Sequence, residues 1–227
     1  MHQVNVSQGK QTGIKIENTL NQIKAIIFDL DNTIYPVSSI GAKLFKPLFR
    51  LISESGEYTG ELNDINAEIL RRPFQFIAND YSFSERLKSK CLDLFHGLTY
   101  DDKMEPFEDY KYAKEIHCKK FLVTLGFSKL QYSKIFQLNI QDDFEQIVVI
   151  DPIQSELTKK DIFQKILIEN GYDADEVLVV GDDLNSEIKA AKDLGIETVL
   201  YDHNSEYTNI ENQKIINNFR DLHLYIK

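Results

Sequence analysis

The sequence predicts an α/β fold, a doubly wound parallel sheet with a small helical domain inserted after its first strand, and three observations predict it. First, five short apolar runs punctuate the chain: AIIF at 25–28, FLV at 121–123, IVVI at 147–150, VLVV at 177–180 and TVLY at 198–201. None alternates with polar residues, which fits strands covered on both faces, as in a parallel sheet. Second, the apolar residues between the later runs change to helical spacing. Ile162, Phe163, Ile166 and Leu167 form one stripe, and Ile188, Ala191 and Leu194 form another, with Gly195 placed as its C-terminal stop. Strand and helix alternating in this way imply βαβ units. Third, no comparable strand run appears from Pro36 to about Met104, a stretch too long for a loop inside a compact domain. Its segments SSIGAKLFKPLFRLISE and FSERLKSKCLDLFHGL have helical patterns, with a Pro-Phe break at Pro73.

Composition sets the bounds. A chain of 227 residues, 42% hydrophobic and 27% charged, is ordinary for a soluble protein with one sizeable core and a small second module. The net charge of −10 argues against a nucleic-acid polymer or an anionic membrane as partner, because both are bound by clustered Lys and Arg. No apolar run approaches the length of a membrane span. Residues 1–22 are polar and lack the apolar centre of a signal peptide, so they are expected to be a polar leader, with the cytoplasm as compartment. The expected organisation is therefore leader at 1–22, α/β core at 23–36 and 105–227, and helical domain at 37–104. Cys91 and Cys118 have no metal-ligand spacing and read as free thiols. A monomer or a homodimer is the expected state.

Chemistry gathers at the strand ends. The first run ends in Asp29-Leu30-Asp31, the second in Thr124-Leu125-Gly126, the third in Asp151, and the fourth in Gly181-Asp182-Asp183. In open parallel sheets the ligand site lies beyond the carboxyl ends of the strands, so these distant acids should converge. Convergent carboxylates repel one another and raise each other's pKa. A hard divalent cation such as Mg2+ removes that penalty, since it takes oxygen ligands, and phosphate is its natural co-ligand. Asp151 reads as a loop acid near the site and not as a ligand.

The residues carry a resemblance at this point. FDLDNT, the strand-end Thr124, a lysine ahead of the next helix, and VVGDD stand in the order seen in the haloacid dehalogenase-like (HAD) hydrolase superfamily. The stretch GDDLNSEIKAAKDLGIETVL is similar to the family's fourth motif with its following helix and strand. The resemblance covers 23–36 and 120–201, the core without the insertion. It implies that Asp29 is the nucleophile that forms an aspartyl-phosphate, and that Asp31 is the acid to the leaving alkoxide and then the base to water. It further implies that Thr124, with the Leu125 amide, and Lys159 hold the transferring phosphoryl group. Mg2+ would be held by Asp29, the backbone carbonyl of Asp31, Asp182 and Asp183. Lys160 is the alternative to Lys159, and Glu187, five residues after Asp182, is the alternative to Asp183.

The same resemblance makes the insertion a helical cap that closes over the site and selects a small phosphorylated metabolite. Its aromatic and basic residues, Phe74, Phe76, Tyr81, Arg71, Arg72 and Lys90, read as cap packing and surface. DNTIYP is similar to the pyrimidine 5′-nucleotidase-like branch, so the substrate expected is a sugar phosphate or a nucleotide monophosphate. Asp31 disfavours dehalogenation, which generally lacks the second aspartate. A phosphosugar mutase keeps both aspartates and stands as the alternative enzyme. A non-catalytic phosphate-binding or signalling module stands as the alternative outside catalysis.

Overall fold

The computed structural model describes residues 22–207 and 210–226. The leader expected at 1–22 lies, save for Gln22, outside them. Six strands, β1 (Ala25–Phe28), β2 (Lys119–Leu125), β3 (Gln146–Ile150), β4 (Val177–Gly181), β5 (Glu197–Tyr201) and β6 (Lys214–Ile216), form one sheet in the order β3-β2-β1-β4-β5-β6. Every pairing is parallel. The five expected runs each lie within a strand. The sixth strand, KII, was not anticipated, because three residues are too short to show a pattern.

The strands explain their own composition. In β1, Ile26 and Phe28 enter the apolar cluster on one face of the sheet, while Ala25 and Ile27 enter the cluster on the other. Two-sided burial is why the run shows no polar alternation. One face is covered by α8 (Lys159–Asn170) and α9 (Glu187–Lys192), through Ile162, Phe163, Ile166 and Ala191. The other face is covered by α6 (Tyr110–Lys114) and α7 (Ser128–Leu138), with a C-terminal 3-10 turn at Phe219–Leu224.

Between β1 and β2, ahead of α6, lie five helices: α1 (Ser38–Leu44), α2 (Lys46–Ser55), α3 (Leu62–Ile69), α4 (Phe74–Asp80) and α5 (Glu85–Gly97). The first long helical pattern is divided at Phe45, where Pro47 enters the opening turn of α2, a position that suits a residue without an N–H. Pro73 is the residue before α4, as its sequence position suggests. Ser84 caps α5 by accepting from the Leu87 backbone N–H at 3.0 Å. The apolar faces of these helices continue the cluster on the α7 side of the sheet. The join is aromatic: Phe95 of α5 stacks on Phe127, which directly precedes α7, with ring centres 4.6 Å apart and planes 6° from parallel.

Candidate active site

The strand order places the site. From β1 the chain builds outward through β2 and β3, then returns to begin the opposite half with β4. The crevice at such a reversal, beyond the carboxyl ends of the strands, is where open α/β sheets bind ligands. Asp29 follows β1 directly, and its backbone N–H donates to the Val180 carbonyl at 3.0 Å, so it is pinned against the end of β4. Asp182 follows β4, and Thr124 is the penultimate residue of β2. A cavity of about 170 Å³ opens here, lined by Asp29, Asp31, Thr124, Leu125, Lys159, Asp182, Asp183 and Glu187 among others. All the expected site residues therefore face one cavity.

Within it, carboxylate oxygens of Asp29, Asp182 and Glu187 lie within 4.8 Å of one another. Asp183, expected beside Asp182, lines the cavity but stands outside this trio. Its backbone N–H donates to Glu187 Oε1 at 2.7 Å, and its own Oδ1 accepts from the Asn185 N–H at 2.8 Å. Glu187 reaches the trio because the chain beside it is Gly181: a Cβ there would overlap the Glu187 carboxyl group. The glycine of the Gly-Asp-Asp motif thus makes room for an acid six residues on.

Lys159 is held at the start of α8, where Thr158 and Asp161 form a reciprocal capping box. Its ammonium donates to Asp29 Oδ1 and to Glu187 Oε2, both at 2.7 Å. Lys160, one residue on, is exposed. Between the two lysines, the packing of α8 brings Lys159 to the acids.

One ammonium cannot neutralise three carboxylates, two of them buried and the third, Asp182, partly so. Burial pushes the Asp29 carboxyl up to about 7; the charge of Lys159 opposes this, and those of Glu187 and Asp31 add to it. Asp182 is raised well above the usual carboxylate range, by burial first and then by Glu187 and Asp29. Burial also raises Glu187, but Lys159 outweighs it and holds Glu187 below its ordinary value. For Lys159 burial favours the neutral form, yet Asp29 and Glu187 together raise it. An all-oxygen donor set with surplus negative charge fits a hard divalent cation such as Mg2+.

Asp31 comes back over the cavity through a tight turn. Asn32 takes the left-handed conformation with φ 57°, which asparagine tolerates better than most residues. The Ile34 N–H donates to the Leu30 carbonyl at 2.9 Å, and the Asn32 side chain accepts from the Val37 N–H at 3.0 Å. The Asp31 carboxylate accepts from the Tyr35 hydroxyl, from Lys134 Nζ at 2.8 Å and from Gln131 Nε2 at 2.8 Å. Burial would raise its pKa, but Lys134, with the hydrogen bonds of Tyr35 and Gln131, lowers it below the ordinary value. Sequence reasoning missed Tyr35, Gln131 and Lys134 as site residues. The signal was available in α7, where Gln131 and Lys134 interrupt an apolar stripe of Leu130, Ile135 and Leu138 and are buried with it.

Neighbours of the site divide into one that stands where it was expected and others that do not. Asp151, read as a loop acid and not a ligand, stands outside the acidic trio; it accepts from the Ser128 and Ile153 N–H groups at 2.9 and 3.1 Å and so ties the end of β3 to the start of α7. Arg71, Arg72 and Phe74, read as packing and surface, line the cavity mouth, and Arg72 is already paired with Glu68 and Asp80. Phe76 and Lys90 are exposed, as expected of surface residues.

Carboxylates and buried lysines gather at the switch point of a doubly wound sheet, and the family match with the relatives below makes the protein a hydrolase of the phosphatase class. The chain belongs to the haloacid dehalogenase-like hydrolases, whose family model matches residues 26–201. It is 25% identical over 198 residues to a glyceraldehyde 3-phosphate phosphatase of Methanopyrus kandleri, covering 78% of this chain and 83% of the relative. A protein of the same name from Methanothermobacter thermautotrophicus is 23% identical over 215 residues, covering 88% and 94% of the two chains. Among solved structures, the HAD-hydrolase YfnB from Bacillus subtilis, described as bound to magnesium, superposes with a TM-score of 0.59 at 18% identity. That match covers 90% of this chain and 99% of YfnB, a likeness of fold.

Proposed function

We propose that this protein hydrolyses a small phosphorylated sugar through a covalent intermediate on Asp29, with Mg2+ as cofactor. The observation that carries the reading is the meeting of Asp29, Asp182 and Glu187 at the switch point of the sheet, with the Lys159 ammonium bonded to Asp29 and Glu187. Asp29, Asp182 and Glu187 are the residues that would hold the ion, and when bound it would screen the attacking carboxylate from the negative charge of the phosphate.

The chain's own groups then divide the work. Lys159 engages Asp29 through Oδ1, which leaves Oδ2 to attack phosphorus. As the bond from phosphorus to the leaving oxygen breaks, Asp31, carrying on Oδ2 the proton that each turnover returns to it from water, gives that proton to the departing alkoxide. The Thr124 hydroxyl and the Leu125 amide hold the phosphoryl oxygens, and Lys159 offsets the charge that builds between them and Asp29. Asp31, now a carboxylate, takes a proton from water as that water attacks phosphorus, releasing inorganic phosphate and regenerating Asp29. The donors gathered on Asp31 favour this ionised form.

The cavity supports a small substrate. About 170 Å³ is below the range of roughly 300–1,000 Å³ that suits drug-sized ligands, and it matches a triose phosphate better than a nucleotide. The names of the relatives point the same way. The test is release of inorganic phosphate from p-nitrophenyl phosphate and from glyceraldehyde 3-phosphate in the presence of Mg2+. Both activities are expected to disappear with EDTA, and Asp29→Asn to lower turnover by more than about 10³-fold. Full activity of the Asp29→Asn protein, or of the chelated enzyme, would overturn the reading.

A further inference from the structure

Asp31 and Thr124 are themselves held by two buried side chains of α7. Lys134 is only 4% exposed, and its Nζ donates to Asp31 Oδ1 at 2.8 Å. A buried ammonium is expensive to desolvate, and an apolar pair of the same volume often stabilises a fold as well or better. Stability alone therefore gives no reason for a cation here. Gln131, one helical turn earlier and 1% exposed, spends both its amide hydrogens on the site: Nε2 donates to Asp31 Oδ2 at 2.8 Å and to Thr124 Oγ1 at 2.7 Å. The orientation of that amide is set by chemistry, since an ionised carboxylate can only accept. Gly126 makes the approach possible: a Cβ at that position would stand 2.9 Å from the Gln131 amide carbon.

Two consequences follow from counting donors and acceptors. The Asp31 carboxylate has about four acceptor directions. Tyr35 and Lys134 fill those of Oδ1, and Gln131 takes one on Oδ2, so Oδ2 alone keeps a direction for a proton in transit. The Thr124 oxygen accepts from Gln131, which leaves its hydroxyl hydrogen to be donated to a phosphoryl oxygen.

We propose that Gln131 and Lys134 of α7 form a clamp that positions Asp31 and Thr124 for the reaction, Gln131 coupling the two and Lys134 acting through Asp31. The clamp rests on the catalytic reading above, and its effect depends on the leaving group. Expulsion of an alkoxide needs a proton from a correctly aimed Asp31, whereas nitrophenolate leaves without one.

The experiment compares kcat/KM for glycerol 3-phosphate and for p-nitrophenyl phosphate, with saturating Mg2+, in wild type, Lys134→Met and Gln131→Leu. In both variants the alkyl ester is expected to lose on the order of 10²-fold, and the aryl ester at least about tenfold less, since general acid catalysis contributes about 10² to 10⁴. Gln131→Leu, which also frees Thr124, is expected to weaken inhibition by inorganic phosphate, while Lys134→Met leaves it within about threefold. Equal losses on both esters, or no loss, would overturn the clamp while the catalytic reading stands. Failure of the wild type to hydrolyse either ester would overturn both. Gln131→Leu introduces no charge and keeps the test decisive if Lys134→Met does not fold.

Discussion

Glu187 illustrates how a single side chain acquires a role from its surroundings. It is 1% exposed, held ionised by Lys159, and drawn toward Asp29 and Asp182 by the space that Gly181 leaves. Asp183 contributes its backbone N–H to that acid and presents no oxygen to the trio. The expected outcome is that Glu187→Gln raises the Mg2+ concentration for half-maximal activity by at least about tenfold, whereas Asp183→Asn shifts it by less than about threefold, as loss of a ligand differs from loss of a neighbour. A Mg2+ titration of p-nitrophenyl phosphate hydrolysis measures both. Equal shifts would return the metal role to Asp183. Of the residues at this scale, Asp29, Asp31, Thr124 and Asp182 were legible because each ends an apolar strand. Lys159 was the expected lysine, with Lys160 as its alternative, and Gln131 and Lys134 were not legible, because their contacts with Asp31 cross about a hundred residues of chain.

At the scale of elements, the start of α8 links stability to the site. The Thr158 hydroxyl accepts from the Asp161 N–H, and the Asp161 carboxylate accepts in return from the Thr158 N–H at 2.8 Å. Two orphan donors of the first turn are thereby satisfied, and Lys159, the first helical residue, is aimed back at Asp29. Thr158→Ala is expected to cost about 1 kcal/mol in a urea unfolding experiment. It should also lower kcat more than it raises KM, because Lys159 loses its anchoring more than its charge. Loss of stability with unchanged kcat would separate the cap from the chemistry. The helices of the insertion were legible as helices, but their division at Phe45 depends on how α1 packs on α2, and the placement of Arg71 and Phe74 at the cavity on how α3 packs on α4.

Charge organises the molecule as a whole. The chain carries a net charge of −10, and five acids face one cavity together with two buried lysines, Lys134 and Lys159. Two of the three acids closest to one another, Asp29 and Asp182, are destabilised as anions by burial and by neighbouring charge. A divalent cation that binds the folded chain and not the unfolded one raises stability by mass action, by about 2.7 kcal/mol at a hundred times its dissociation constant. Mg2+ is therefore expected to raise the melting temperature by several degrees, with EDTA reversing the shift, in a thermal unfolding scan. An unchanged melting temperature would speak against a cation site among these acids. Among the described residues no helix is long and apolar enough to cross a membrane.

By itself the sequence determined the parallel sheet, because strands buried on both faces must be apolar throughout, and it determined which acids end those strands. It also carried the family, since the spacing of those acids survives along the chain. Tertiary structure alone decided which lysine meets Asp29, which acid completes the trio, and that α7 grips Asp31 and Thr124. The grip of α7 on Asp31 and the meeting of Lys159 with Asp29 and Glu187 rest on distances of 2.7 to 2.8 Å between residues 28 or more apart in the chain, and only packing sets such distances.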